Sequence, residues 1–597
     1  MAVLLPGCEF FSFHSPLKKV GFQFLEHPPQ KSGLNFSNLL DENTLVNPFN
    51  YINAYNGGGV AIGDINNDGL NDVYLTGNMV PSRLFLNKGN FRFEDITERA
   101  GVRTTGWCAG VTMADVNADG WLDIYVCRAY YDDPELRTNL LFMNNGDGTF
   151  TEQAARLGVA DPNFSVAASF FDYDRDGDLD LFVANHPRYR LIYLYKHYLY
   201  WKDPVLEYSS RLFRNDGTHF TDVTESAGVL SYGFSLGVIT SDLNMDGWPD
   251  IFVSVDHEEP DMVFFNNGDG TFTNRTNHAL NSSTRSSMGL DAGDVNHDPY
   301  PDVVVVEMLS EDHFREKVNM GMQTVKRFQF LIDSLGYTYY QMRNFLHLNN
   351  GNNTFSDIGQ LADIHRTDWS WAALFMDADN DGWQDLFVAN GYYRDIYNRD
   401  LFLPFDSLMS TLQSMEEKNQ LASRYARNCP QNKIPNYFFK NKGDLRFEKV
   451  TDMVGLDKPT ISTGAAYGDL DNDGDLDLVI NNLGEAASLY ENRTRGNRFL
   501  RIRPAPSPEM TSIGMKVLLR HQGALQMREL LTTRGFQSSC EPVIHFGVGS
   551  HPSIDTVEII WPDGKTQILT QVPTNQTLQV RYEDASASGP TLLAASH

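Results

Sequence analysis

The sequence predicts an all-β protein: a seven-bladed β-propeller followed by a small C-terminal β domain. Three observations lead there. An acidic nine-residue pattern recurs seven times in 597 residues. Each copy stands between short runs of β-branched and aromatic residues, as buried strands do. A second pattern, Leu/Phe-x-x-Asn-x-Gly followed by Phe, comes after each of the first six copies and marks a further tight hairpin. Two hairpins make four strands, and the shortest spacing between copies, 51 residues, is the length of one four-stranded blade.

In chain order, residues 1–20 read as a tail or the remnant of a signal. The run Leu4-Leu5-Pro6-Gly7-Cys8 resembles a lipoprotein cleavage site, which makes Cys8 a candidate lipid anchor, although the stretch before it is shorter than an ordinary signal peptide. The propeller is expected over 21–495. Its first element, Phe22-Gln23-Phe24 leading to Ser32-Gly33-Leu34, is an outer-strand pattern with no blade of its own. The last copy lacks an outer strand, because Leu489-Tyr490-Glu491-Asn492 runs straight into Arg493-Thr494-Arg495-Gly496. The N-terminal strand is therefore expected to complete the last blade, which joins the ends of the ring and removes exposed edges. A β domain should fill 496–583, and 584–597 reads as a disordered tail.

The repeat is Asp-x-[Asp/Asn]-x-Asp-Gly-x-x-Asp. Positions 1, 3, 5, 7 and 9 are Asp64, Asn66, Asp68, Leu70 and Asp72 in loop one, and Asp115, Asn117, Asp119, Trp121 and Asp123 in loop two. Loop three has Asp172, Asp174, Asp176, Asp178 and Asp180; loop four has Asp242, Asn244, Asp246, Trp248 and Asp250. Loop five has Asp294, Asn296, Asp298, Tyr300 and Asp302; loop six has Asp377, Asp379, Asp381, Trp383 and Asp385; loop seven has Asp469, Asp471, Asp473, Asp475 and Asp477. Oxygen-bearing side chains at 1, 3, 5 and 9, with a backbone carbonyl at the variable position 7, suit a hard cation taking six to eight oxygens. Calcium is the expected ion, up to seven per chain. No His or Cys stands at a ligand position, which argues against zinc and copper.

The start of each loop mimics an EF-hand, but position 12 is apolar in every copy (Leu75, Val126, Val183, Val253, Val305, Val388, Ile480), as in a strand. Turn chemistry alone explains Asp and Gly, though not oxygen donors at alternate positions. In loop five Pro299 replaces the turn glycine and restricts Asp298, so this site should be the weakest. The ions are expected to act as scaffold.

The 77 acidic against 48 basic residues leave a net charge of −29, which excludes a nucleic-acid partner. No apolar run is long enough to span a membrane as a helix. Five cysteines are too few for a disulfide scaffold. Cys108 and Cys127 flank loop two and form either a bridge across a hairpin or two buried thiols.

Insertions near 186–209, 308–343 and 389–435 all follow the second strand of a blade, so they should emerge on one face. Their aromatic and basic residues are the candidate ligand set: His186, Arg188, Arg190, Tyr193, His313, Arg315, Tyr392 and Arg394, with Trp369 just before loop six. Such residues suit a sugar or anionic ligand on loops over a rigid frame. The alternative is that the insertions pack as small helices and these are ordinary stem and capping residues.

The loops and Asn-x-Gly hairpins resemble FG-GAP/VCBS repeats. The segment 496–583, with Ile513-Gly514-Met515-Lys516-Val517, Arg528-Glu529, His545-Phe546-Gly547-Val548-Gly549, Trp561-Pro562-Asp563-Gly564 and Asn575-Gln576-Thr577, resembles an ASPIC/UnbV domain. The pairing is similar to the cartilage acidic protein-like family, and Thr367-Asp368-Trp369-Ser370-Trp371 and Asn390-Gly391-Tyr392-Tyr393-Arg394-Asp395 to a branch common in Bacteroidota. The resemblance implies calcium dependence and an extracytoplasmic location, on a bacterial outer surface or secreted. It implies no defined activity. The expected function is a binding or adhesion module for a glycan or protein ligand. The alternative is a carbohydrate-active enzyme, a lyase or hydrolase working on the insertion-bearing face, for which no catalytic residue can be named.

Overall fold

The computed structural model describes residues 20–187, 197–319 and 325–586. Seven sheets, each with four antiparallel strands from within residues 24–492, follow one another, and the first is extended to six strands by a C-terminal hairpin. Their inner strands are Val60–Gly63, Trp107–Ala114, Phe164–Phe171, Phe234–Ser241, Leu290–Gly293, Ser370–Met376 and Ser462–Gly468. These strands are almost wholly buried and lie side by side in sequence order, and the seventh lies against the first. Gly464 N there donates to Gly58 O at 3.1 Å.

The seventh sheet takes its outer strand from the other end of the chain. Phe24–Glu26 pairs antiparallel with Ser488–Asn492, in the register Phe24↔Asn492 and Glu26↔Tyr490. Phe22 and Phe24 anchor it, 5.3 and 5.6 Å from Phe438 of the sixth sheet. The orphan pattern and the missing strand thus meet.

Each acidic loop joins strand one to strand two, and each insertion joins strand two to strand three. Antiparallel strands put these connections at opposite ends, so loops and insertions occupy opposite faces. The third insertion folds as two helices, Arg399–Met409 and Met415–Asn428. The second includes the short helices His313–Asn319 and Val325–Gln329.

The C-terminal segment forms a three-stranded sheet (Ile544–Gly549, Arg498–Pro504, Gln576–Val580) and a four-stranded one (Ala524–Glu529, Lys516–His521, Ser553–Ile560, Thr566–Pro573). Leu500, Met515, Phe546 and Trp561 are in the core between them. The segment sits on the acidic-loop face, and part of it leaves that face altogether. A hairpin, Thr533–Arg534 and Ser538–Ser539, enters the centre of the ring. Ser539 pairs with Ala61, Leu290 and Gly535 exchange two hydrogen bonds of 3.0 Å, and Val111 N donates to Gln537 O at 3.1 Å. Backbone comes so close here that a Cβ on Gly59 would lie 1.7 Å from Gln537 O. Nothing in the sequence reading placed this hairpin inside the ring.

Cys108 and Cys127 are buried free thiols. Cys108 faces Arg128 across the strand pair, and the two sulfurs belong to apolar clusters on opposite sides of the sheet.

Candidate functional site

The acidic loops share one geometry. In loop two, Asp115 Oδ1 accepts from Asp119 N at 3.0 Å and its Oδ2 from Gly120 N at 2.8 Å. Asp123 Oδ2 accepts from Val116 N at 3.0 Å, and its Oδ1 from Asn144 N at 2.8 Å. Position 4 is left-handed in all seven loops (Asn67, Ala118, Arg175, Met245, His297, Asn380, Asn472). The backbone thereby turns the odd-numbered side chains inward. In loops three, six and seven, one oxygen each from positions 1, 3 and 9 (Asp172, Asp174, Asp180; Asp377, Asp379, Asp385; Asp469, Asp471, Asp477) lies within 4.8 Å of the other two.

A metal ion fits this donor set. Asp174 Oδ1, Asp379 Oδ1, Asp178 Oδ1 and Asp475 Oδ1 are buried without a hydrogen-bond partner. Burial raises Asp72 and Asp123 to about 8 and Asp172 and Asp469 to about 7. Such carboxylates take up either a proton or a cation. In loop six Lys440 already meets this need in part, pairing with Asp379 and, at 3.0 Å, with Asp381.

Loop five departs where Pro299 stands. Glycine at position 6 has a positive φ in the other six loops, and Pro299 is carried to +35°, against the roughly −65° its ring prefers. Proline also lacks the N–H that satisfies position 1 elsewhere, and Asp294 Oδ2 is buried without a partner.

The asparagine of each Asn-x-Gly turn has a second role that turn chemistry does not reveal. Its Oδ1 accepts from the turn glycine, as in Gly268 N to Asn266 at 3.0 Å. Except at Asn215, whose Nδ2 stays on Leu179 O of its own sheet's loop, the Nδ2 donates to the position-2 carbonyl of the preceding sheet's loop: Asn144 to Ile65 O at 2.8 Å, Asn266 to Tyr173 O at 2.8 Å, Asn349 to Leu243 O at 2.6 Å and Asn441 to Val295 O at 2.9 Å. Asn87 reaches Leu470 O and Asn492 reaches Ala378 O in the same way, at 2.8 and 2.7 Å. The repeating Asn was the available signal, visible in the sequence but read only as a turn former.

The C-terminal segment grips the loops by their first aspartates. Arg501 Nη1 meets Asp469 Oδ2 at 2.8 Å, Lys516 Nζ meets Asp242 Oδ2 at 2.9 Å, and Gly547 N donates to Asp377 Oδ2 at 3.1 Å. In each case the oxygen engaged is also the one that accepts from the loop glycine.

On the insertion face three ligand candidates come together. Trp369 stacks on Tyr392 with ring centroids 3.7 Å apart, and Arg315 forks onto the neighbouring Asp368 at 2.7 and 3.0 Å. Arg394 lies nearby, held by Glu42 at 2.8 Å. The others do not join them. His186 is a core residue, bonded to Tyr51 at 3.3 Å and pushed down to about 4 by burial. The His313 side chain is 84% exposed and 3.9 Å from Glu316. Arg188, Arg190 and Tyr193, like Cys8, lie outside the described residues. Sequence reasoning missed the carboxylates Asp368, Asp395 and Glu42 that hold these arginines, and the segment 38–56 that brings Glu42 and Tyr51 over this face. The run Gly233-Phe234-Ser235-Leu236-Gly237 has the spacing of a hydrolase nucleophile turn. Ser235 is nevertheless buried within the strand Phe234–Ser241, so no exposed nucleophile results.

Residues 48–126, 130–183, 242–305 and 333–388 match the FG-GAP-like repeat, spans that contain loops one to six, and residues 506–587 match the ASPIC and UnbV family. The chain is 24% identical over 564 residues to cartilage acidic protein 1 of Xenopus tropicalis, covering 89% of this chain and 75% of that protein. It is 24% identical over 559 residues to cartilage acidic protein 1 of Homo sapiens, covering 88% and 72%. Among solved structures, an Agrocybe aegerita lectin that recognises non-reducing terminal N-acetylglucosamine aligns with a TM-score of 0.34 and 15% identity, over 65% of this chain and 77% of that one. Rhamnogalacturonan lyase YesW aligns with a TM-score of 0.35 and 10% identity, over 73% and 71%. By its repeats, its C-terminal segment and its curated relatives, the chain is an FG-GAP-repeat protein with a C-terminal ASPIC and UnbV domain, homologous to cartilage acidic protein 1.

Proposed function

We propose that the protein is an extracytoplasmic calcium-binding β-propeller of seven blades, closed by its N-terminal strand, that acts as a binding module for a glycan or protein ligand. The observation that carries this reading is the convergence of three carboxylates in loops three, six and seven, with buried oxygens left unpartnered. Calcium supplies the positive charge these loops lack. The position-1, -3, -5 and -9 side chains would hold it, with the position-7 carbonyl, and loop five would bind most weakly. The ligand surface is the insertion-bearing face, where half-buried Trp369, backed by the buried core ring of Tyr392, lies near Arg315.

Two measurements test it. Elemental analysis of the purified chain should find several calcium ions per molecule, and their absence from a folded protein would end the reading. A glycan array probed with and without calcium should show retention that depends on the ion. Release of unsaturated sugar products would instead favour a lyase.

A further inference from the structure

The C-terminal segment engages the first aspartates of loops four, six and seven but meets loops one and two only locally, at Asn71 through Glu541 and beside Gly120 through Pro506. Between them lies a cleft of about 520 Å³, within the range of small-ligand sites. Its walls include Asp64 and Asp115, and Pro506 and Met510 line it from the C-terminal side. Arg503 and Gln579, paired across adjacent strands, also line it.

Arg503 is the informative residue. Strand Arg498–Pro504 alternates, so Leu500 and Ile502 enter the C-terminal core while Arg501 and Arg503 face the ring. Arg501 binds two carboxylates, Asp469 and Glu541. Arg503 is half-buried and, in a chain with 77 acidic residues, its guanidinium makes no hydrogen bond or ion pair among the described residues. A guanidinium held in a cleft without a partner is matched by a carboxylate, which it can clamp through two parallel hydrogen bonds. The opposite wall mixes apolar side chains such as Val116 and Leu122 with amides such as Asn67, whose oxygen can accept from a hydroxyl group. Pro506 and Met510 offer flat apolar contact to a ring.

We propose that this cleft binds a small hydroxyl-rich carboxylate of the size and chemistry of a uronic-acid disaccharide, with its carboxylate on Arg503 and its hydroxyls toward loops one and two. The site lies on the face opposite the insertions and is independent of the ligand surface proposed above.

Titration calorimetry of the full chain in calcium buffer tests it with digalacturonate and its neutral methyl ester as probes. The wild type should bind the acid at least tenfold more tightly than the ester. Arg503→Gln should abolish that preference, and Arg503→Lys should retain part of it. Because Arg503 has no partner to lose, R503Q should melt with the wild type, which separates lost binding from lost folding. A wild type that ignores digalacturonate, or an R503Q that melts normally and still prefers the acid as the wild type does, would overturn the proposal.

Discussion

Pro299 isolates what one N–H contributes to a loop. Its six counterparts are glycines that take the left-handed turn and donate to the first aspartate, whereas Pro299 is strained in that turn and has no N–H to donate. Pro299→Gly should stabilise the protein by about 1 kcal/mol or more, since it relieves strain and pairs a buried oxygen. It should also add calcium to loop five, and a melting curve with a metal count checks both. Protons compete for the same sites. Burial holds Asp72 and Asp123 near 8 and Asp172 near 7, well above their unfolded values. A raised folded value means stability that is present below the unfolded pKa and lost as pH rises through the folded one. Chelated protein should therefore melt progressively lower from about pH 4 to about pH 8, and calcium should flatten that slope. An equal slope with and without the ion would contradict the account.

At the scale of elements, the strand Phe24–Glu26 is short, yet it decides whether the seventh sheet has a covered edge. Phe24 is 3% exposed and packs on Phe22 and Phe438. Phe24→Ala should cost about 3–5 kcal/mol by creating a cavity at the seam, read as a lower denaturant midpoint. The links between sheets depend on the turn asparagines. Asn266→Ala removes its bonds to Tyr173 O and the turn glycine in a buried setting, at a cost of about 1–3 kcal/mol in the same assay. The long insertion helix Met415–Asn428 needs no such help to start, because Ser414 caps it and exchanges bonds with Glu417.

For the whole molecule, the C-terminal hairpin is the common contact of the ring. Arg534 pairs with Asp291 at 2.7 Å, beside the Gly535–Leu290 bonds, and Asp291 Oδ2 in turn accepts from Phe375 N at 2.7 Å. Phe536 packs against Trp371 with ring centroids 5.2 Å apart. Arg534→Met leaves Asp291 buried beside no charge and should destabilise by about 3–5 kcal/mol. Because the loops' first aspartates both shape the loops and hold the C-terminal segment, removing calcium should loosen that segment. Limited proteolysis after chelation should cut near 495–497 before it cuts within the sheets, and simultaneous cutting throughout would show that the two parts do not respond separately.

The repeat, its four strands per unit, the oxygen-donor spacing and the defect at Pro299 were all legible in the sequence, because each follows from local backbone and side-chain chemistry within a few residues. The N-terminal strand was legible too, since two incomplete patterns can be matched without knowing where they lie. The hairpin in the ring, the Asn links between sheets and the carboxylates holding Arg315 and Arg394 were decided only by tertiary structure. They join residues far apart in the chain, such as Arg534 with Asp291, and Arg394 with Glu42. Periodicity shows which side chains share a face, but only the tertiary packing of the sheets brings those faces within hydrogen-bonding distance.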